Sequence, residues 1–131
     1  IPICFEDAFP DVCRELYKAG AEVLISISND SWSNFKSAEY QHFVIASFRA
    51  IELRTTLVRI TNSGYSGVID SKGRIIADLP LFEEAAIVTT IPIYEHKPTV
   101  YTQLGDWIII VFGLIFAIFF IGCIKETYKK Y

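Results

Sequence analysis

Apolar and polar positions divide the chain into a patterned region, residues 1–103, and one long apolar run behind it. Residues 11–19 read as a helix, with Gly20 placed to stop it. AEVLISIS (21–28) is a continuous apolar run that suits a buried strand. NDSWSNFKSAEY (29–40) is polar and aromatic without a period and reads as a loop. From Gln41 to Arg54 the spacing is helical: Phe43, Ala46, Ala50 and Leu53 share a face that Val44, Phe48 and Ile51 widen. TTLVRIT (55–61) is β-branched and predicts a strand, closed by a turn in which Asn62 and Gly64 are the shaping residues. SGVID and RIIAD flank Ser71-Lys72-Gly73 as a hairpin, and AAIVTTIPIY (85–94) predicts one more strand. Strands alternating with helices imply a layered α/β fold.

The apolar run, Trp107 to Ile124, is free of charge, and Leu104 and Gly105 can lengthen it. At about 1.5 Å per residue it nearly crosses a hydrocarbon core, with Trp107 and Tyr128 suited to the two interfaces. The competing reading is a buried core helix, which the length and unbroken apolar character oppose. Lys125, Lys129 and Lys130 follow the run, while Asp106, Lys97 and Glu95 precede it. The positive-inside rule then puts the C-terminus in the cytoplasm and the patterned region outside. The expected organisation is a globular part over 1–103, a transmembrane helix over 104–124 and a cytoplasmic tail over 125–131.

Composition narrows the function. Twelve Lys+Arg against 15 Asp+Glu give a net charge of -3, with no basic stripe for a nucleic acid. Cys4, Cys13 and Cys123 form no CxxC pair and no metal-ligand spacing, so no metal site is expected; a Cys4–Cys13 bridge stays open in an oxidising compartment. The chain holds no Met and opens on Ile1-Pro2-Ile3-Cys4. It reads as a segment of a longer protein, with some sheet edges expected to pair with sequence outside it.

Cys4 ends that short apolar run and is followed by Phe5-Glu6-Asp7. A thiol at a strand exit before a helix can face a cleft and backbone N–H groups, although an apolar-flanked Cys also serves as a small core residue. The segment ICFEDAFPDVCRELYKAGAEVLISISNDSW (3–32) resembles the nucleophile segment of the nitrilase, or carbon–nitrogen hydrolase, superfamily. FRAIE (48–52), a strand, and TNSGYSGVIDSKGRI (61–75) match it in order and spacing. Within it, SNDSW (28–32), YQHF (40–43), RITNSGYS (59–66), LPLF (79–82) and LGDW (104–107), leading into a final membrane helix, resemble the apolipoprotein N-acyltransferase family.

That resemblance implies part of a nitrilase-like α-β-β-α sandwich followed by one C-terminal transmembrane helix. It implies a Glu–Lys–Cys triad in which Cys4 is the nucleophile and the Glu and Lys lie upstream of residue 1. Glu6 matches a further glutamate that the family needs near the nucleophile; the plainer reading is a helix-entry carboxylate. The family usually carries Tyr where Phe5 stands, which keeps the backbone N–H and loses a phenol. The loop SNFKSAEY also departs from the commoner Gly-containing form. The implied reaction moves an acyl chain from a phospholipid, through a Cys4 thioester, to the amine of a diacylglyceryl-cysteine lipoprotein, without a cofactor, at a bacterial inner membrane with the catalytic region periplasmic. Phe5, Trp32 and Phe35 are candidate lipid-facing residues, against ordinary loop packing. His42 reads as structural rather than as a base. Arg49 and Glu52 are spaced as an intrahelical ion pair tying the helix to the sheet, and Cys13 reads as inert. Two rivals remain: a membrane-tethered nitrilase-type amidase, and a non-catalytic single-span protein that binds a partner.

Overall fold

The computed structural model describes residues 1–129. A short 3-10 turn, Cys4–Ala8, leads into α1 (Pro10–Lys18), β1 (Val23–Asn29), α2 (Lys36–Leu53), β2 (Thr56–Asn62), β3 (Gly67–Ile69), β4 (Ile75–Asp78), α3 (Val100–Leu104) and α4 (Trp107–Lys129). Pro10 suits the first position of α1, where its missing N–H costs nothing, and Gly20 at φ +98° turns the chain back toward the sheet.

The sheet has the order β1-β2-β3-β4. β1 and β2 run parallel, joined by α2 as a crossover, and β2, β3 and β4 follow as antiparallel neighbours. A single parallel bridge, Ile3 to Ile27, sets the opening apolar run against the free edge of β1, with Ile27 N–H donating to Pro2 O at 3.3 Å. Cys4 therefore leaves the sheet edge at the C-terminal end of β1.

One face of the sheet holds the core. Leu24, Leu57 and Ile69 pack against Phe43, Ala46, Ala50 and Leu53 of α2 and Cys13 and Tyr17 of α1. The opposite face is open: Ile25, Ile27 and Ile60 are exposed. The run 21–28 thus differs from a strand buried on both faces, since β1 alternates and only Leu24, Ser26 and Ser28 point inward. Residues 85–94 also depart from expectation and form no strand. They cross the open face instead of extending an edge, and Ala85, Ile87, Val88 and Ile91 line a cleft of about 620 Å³ with Ile25, Val58 and Ile60.

The loop expected over 29–40 is shorter than the pattern implied, because α2 starts at Lys36. Its first turn is polar: Ser33 Oγ donates to Glu39 Oε1 at 2.6 Å and accepts from Phe35 N–H at 3.3 Å. Apolar periodicity begins only at Phe43, which hid that turn. The β3–β4 hairpin forms as expected. Asp70 Oδ1 accepts from the N–H groups of Lys72 and Arg74 at 2.9 and 2.8 Å, and Gly73 at φ +79° is packed so closely by Ile51 that a Cβ would lie 2.7 Å from it.

The polar run to Gln103 contains α3, capped by Thr99, whose hydroxyl accepts from Thr102 N–H at 3.1 Å. Gly105 then carries the chain into α4 at φ +60°, where a side chain would strike the Arg14 guanidinium. Trp107–Thr127 within α4 is long and apolar enough to cross a membrane, and none of it is buried against the described residues. The side chains of Tyr128 and Lys129, and all of Lys130 and Tyr131, fall outside the described residues, and with them most of the basic tail.

Removing side-chain volume at the centre of this core tests the packing. Leu57→Ala in the full-length protein is expected to lower stability by about 2–5 kcal/mol, read by denaturant unfolding.

Candidate active site

Cys4 is half-buried and sits at φ +54°, in the left-handed region that a Cβ disfavours. Such a conformation costs on the order of 1–3 kcal/mol and persists where surrounding contacts fix it. Those contacts are visible on both sides. In front, Glu6 Oε2 accepts from Ile3 N–H at 2.8 Å while Glu6 N–H donates to Ile3 O at 3.2 Å, closing the turn on itself. Behind, Arg49 Nη1 donates to Ala8 O at 3.0 Å and Nη2 to Glu52 Oε1 at 2.7 Å. The Arg49–Glu52 pair expected on α2 is present, but it ties the helix to the Cys4 turn rather than to the sheet.

Beneath the turn lies a buried charged network that the sequence reading did not assemble. Arg59, an inward-facing residue of β2, donates from Nε to Asp7 Oδ2 at 3.0 Å, from Nη2 to Asp30 Oδ2 at 2.9 Å and from Nη1 to Tyr65 O at 3.0 Å. Ser26 Oγ donates to Asp7 Oδ2 at 2.7 Å, and Ser28 Oγ lies 2.6 Å from Asp30 Oδ1 and 3.7 Å from Cys4 Sγ. His42 is buried between the two carboxylates: Nε2 is 2.9 Å from Asp7 Oδ1, and Nδ1 is 3.1 Å from Asp30 Oδ1 and 2.8 Å from Arg59 Nη2. Nε2 faces the acceptor Asp7 Oδ1 and serves as the donor there, while Nδ1 stands between Asp30 Oδ1 and Arg59 Nη2. His42 is therefore a buried member of this network.

The clue to Arg59 was available. A charged residue inside the β-branched run TTLVRIT must find partners if that strand is buried. The partners themselves come from the turn, the end of β1 and α2. Gly64 completes the enclosure: a Cβ there would sit 2.9 Å from Asp30 Cβ and closer still to its carboxylate, so its role reaches beyond the turn assigned to it.

Phe5 is 47% exposed and rests its ring against His42, centroids 4.8 Å apart, and against Phe9 at 5.9 Å. Trp32 is 67% exposed on the loop before α2, and Phe35 is exposed at its foot. All three cysteines are free. Burial pushes the Cys13 thiol up to about 11, which fits an inert core residue. Among the described residues no group of His, Cys, Asp or Glu is arranged to hold a metal.

A family model for carbon-nitrogen hydrolases matches residues 1–99. The chain belongs to that family. Among the relatives of this carbon-nitrogen hydrolase chain, "Apolipoprotein N-acyltransferase 2" of Treponema denticola is 65% identical over 115 residues, covering 88% of this chain and 22% of the relative. Its namesake in Treponema pallidum is 52% identical, covering 88% and 21%. The chain thus spans about a fifth of the length of the curated relatives it matches. Among solved structures, a carbon-nitrogen hydrolase from Helicobacter pylori aligns at TM-score 0.55 and 22% identity, covering 63% of this chain and 36% of that one. A mutant amidase of the nitrilase superfamily from Nesterenkonia aligns at 0.52 and 18%, covering 60% and 32%. These likenesses show the nitrilase-type fold, which the mixed sheet and its helices carry here.

The buried network makes a pH prediction. Burial pushes the Asp7 carboxyl up, and the opposing bonds from His42 and Ser26 and the Arg59 charge outweigh it, leaving it below its ordinary 3.8. A lowered folded value means that Asp7 stabilises the fold above about pH 4, and that this contribution fades as pH falls through the folded value. Thermal midpoints of the full-length protein recorded downward from pH 6 are expected to fall more steeply for wild type than for Asp7→Asn.

Proposed function

We propose that this chain is the nucleophile-bearing part of an apolipoprotein N-acyltransferase. The observation that carries the proposal is the 65% identity to a protein of that name across 88% of the chain. The strained, clamped turn at Cys4 and the unburied apolar helix that follows the globular part agree with it.

In this reading the Cys4 thiolate attacks the ester carbonyl of a phospholipid. A sulfur–carbon bond forms, the carbon–oxygen bond to glycerol breaks, and the lysophospholipid leaves with a proton. The α-amine of a diacylglyceryl-cysteine lipoprotein then attacks the thioester, forming the amide and returning Cys4 as a thiol. A free thiol is mostly protonated near neutral pH, so a base must act first. The resemblance supplies it as a glutamate, with a lysine, from sequence outside these residues. Glu6 acts through the turn: by holding Ile3 N–H it fixes the direction of Cys4. The Phe5 N–H adjoins the nucleophile and has no backbone acceptor among the described residues, which suits it to a developing oxyanion. Phe5 and Trp32 face lipid at the mouth of the site. The globular part, 1–103, lies on the periplasmic side of an inner membrane, residues 104–124, most of them in α4, cross it, and the tail 125–131 is cytoplasmic.

Cys4→Ser in the full-length protein is expected to reduce acyl transfer from phospholipid to a diacylglyceryl peptide by about a thousandfold or more, and to abolish thioester trapping. Retained transfer would overturn the assignment, and release of free fatty acid in place of transfer would mark a hydrolase. A reporter fused after Tyr131 is expected to signal from the cytoplasm; an external signal would reverse the topology.

A further inference from the structure

Ser28 projects from β1 toward the Cys4 turn, and its hydroxyl stands between two acceptors. Asp30 Oδ1 is 2.6 Å away and Cys4 Sγ 3.7 Å. A hydroxyl has one proton and two lone pairs, so it serves one acceptor at a time. While Cys4 is a neutral thiol, the short bond to the carboxylate keeps that proton. When the thiol proton leaves, the sulfur becomes a charged acceptor in the same position. Asp30 can release the serine, because Arg59 Nη2 still donates to its Oδ2 at 2.9 Å. Ser28 is buried, so little water competes for its proton.

We propose that Ser28 is a further catalytic residue of this site: its hydroxyl turns from Asp30 to the Cys4 sulfur as the thiolate forms, and holds that thiolate in the turn. The proposal rests on Cys4 being the nucleophile. No bond of Ser28 breaks in the step. The S–H proton passes to the carboxylate base invoked above, or to water when a reagent attacks. The need for such a donor follows from the charges around the turn. Glu6 and Asp7 come from the turn itself, Asp30 from the end of β1 and Glu52 from α2, against the guanidinium groups of Arg59 from β2 and Arg49 from α2. Carboxylates outnumber cations there, so a new negative charge on sulfur gains from a neutral donor.

The test is iodoacetamide alkylation of Cys4 in the full-length protein against pH, followed on the Cys4 peptide by mass spectrometry so that Cys13 and Cys123 do not contribute. Ser28→Ala is expected to move the midpoint to higher pH by about one unit, the effect of losing one hydrogen bond to the charged form. Ser26→Ala removes a hydroxyl from the same strand face without a contact to Cys4, and is expected to move it less. Equal midpoints for Ser28→Ala and wild type, or equal shifts for the two serine variants, would overturn the proposal. Should Ser28→Ala not fold, the isosteric pair Ser28→Thr and Ser28→Val makes the same comparison, and a shared midpoint there overturns it as well. A shifted midpoint beside an active Cys4→Ser enzyme would leave the contact standing and remove the acyltransferase reading; an unchanged midpoint beside an inactive Cys4→Ser would remove Ser28 alone.

Discussion

The guanidinium of Arg59 is the interaction on which the site depends. It is fully enclosed, and it bonds the Cys4 turn through Asp7, the end of β1 through Asp30 and the loop after β2 through Tyr65 O. Burying such charges carries a desolvation cost of several kcal/mol per ion, so the network is a poor source of net stability. Its value is geometric. A planar fork with fixed donor directions sets three backbone segments at fixed distances, which a flexible ammonium would not do. His42 sits between the two carboxylates, with one ring nitrogen against each.

That arrangement explains how a residue with a side chain stays in the left-handed region at Cys4. The turn is held from below by Asp7, from in front by Glu6 on Ile3 and from behind by Arg49 on Ala8 O. The Glu6 grip is made within the turn, while Asp7 and Ala8 O are held by side chains of β1, β2 and α2, so the backbone strain is opposed by tertiary contacts as well as by the local one. The sulfur is thereby presented beside Ser28 and Phe5 instead of sinking into the core as Cys13 does.

The two faces of the sheet are unlike. Helices cover one face of the sheet, while Ile25, Ile27 and Ile60 are exposed on the other, where Ala85, Ile87, Val88 and Ile91 line a cleft. At the far end, Gly105 lets α4 leave close against Arg14, whose guanidinium also stands 6.0 Å from the centre of the Tyr101 ring. The apolar helix is thus joined to α1, the element that directly follows the Cys4 turn.

The sequence by itself determined the elements whose signal is local. The periodicity of α2 from Phe43 onward, the β-branched run of β2, the Ser71-Lys72-Gly73 hairpin and the uncharged run of α4 all follow from side-chain spacing and hydration. Cys4 stood out through its motif and His42 through its setting. Only the tertiary structure decided which charges meet: Asp7, Asp30, His42 and Arg59 are separated by up to 52 positions along the chain, and no spacing rule pairs them. It also decided that Arg49 grips the turn, that 85–94 lies on a face instead of an edge, and that α2 begins at Lys36. The reason is common to these cases. A helix or strand records its period in neighbouring residues, whereas a buried polar contact is fixed by where separate elements come to rest.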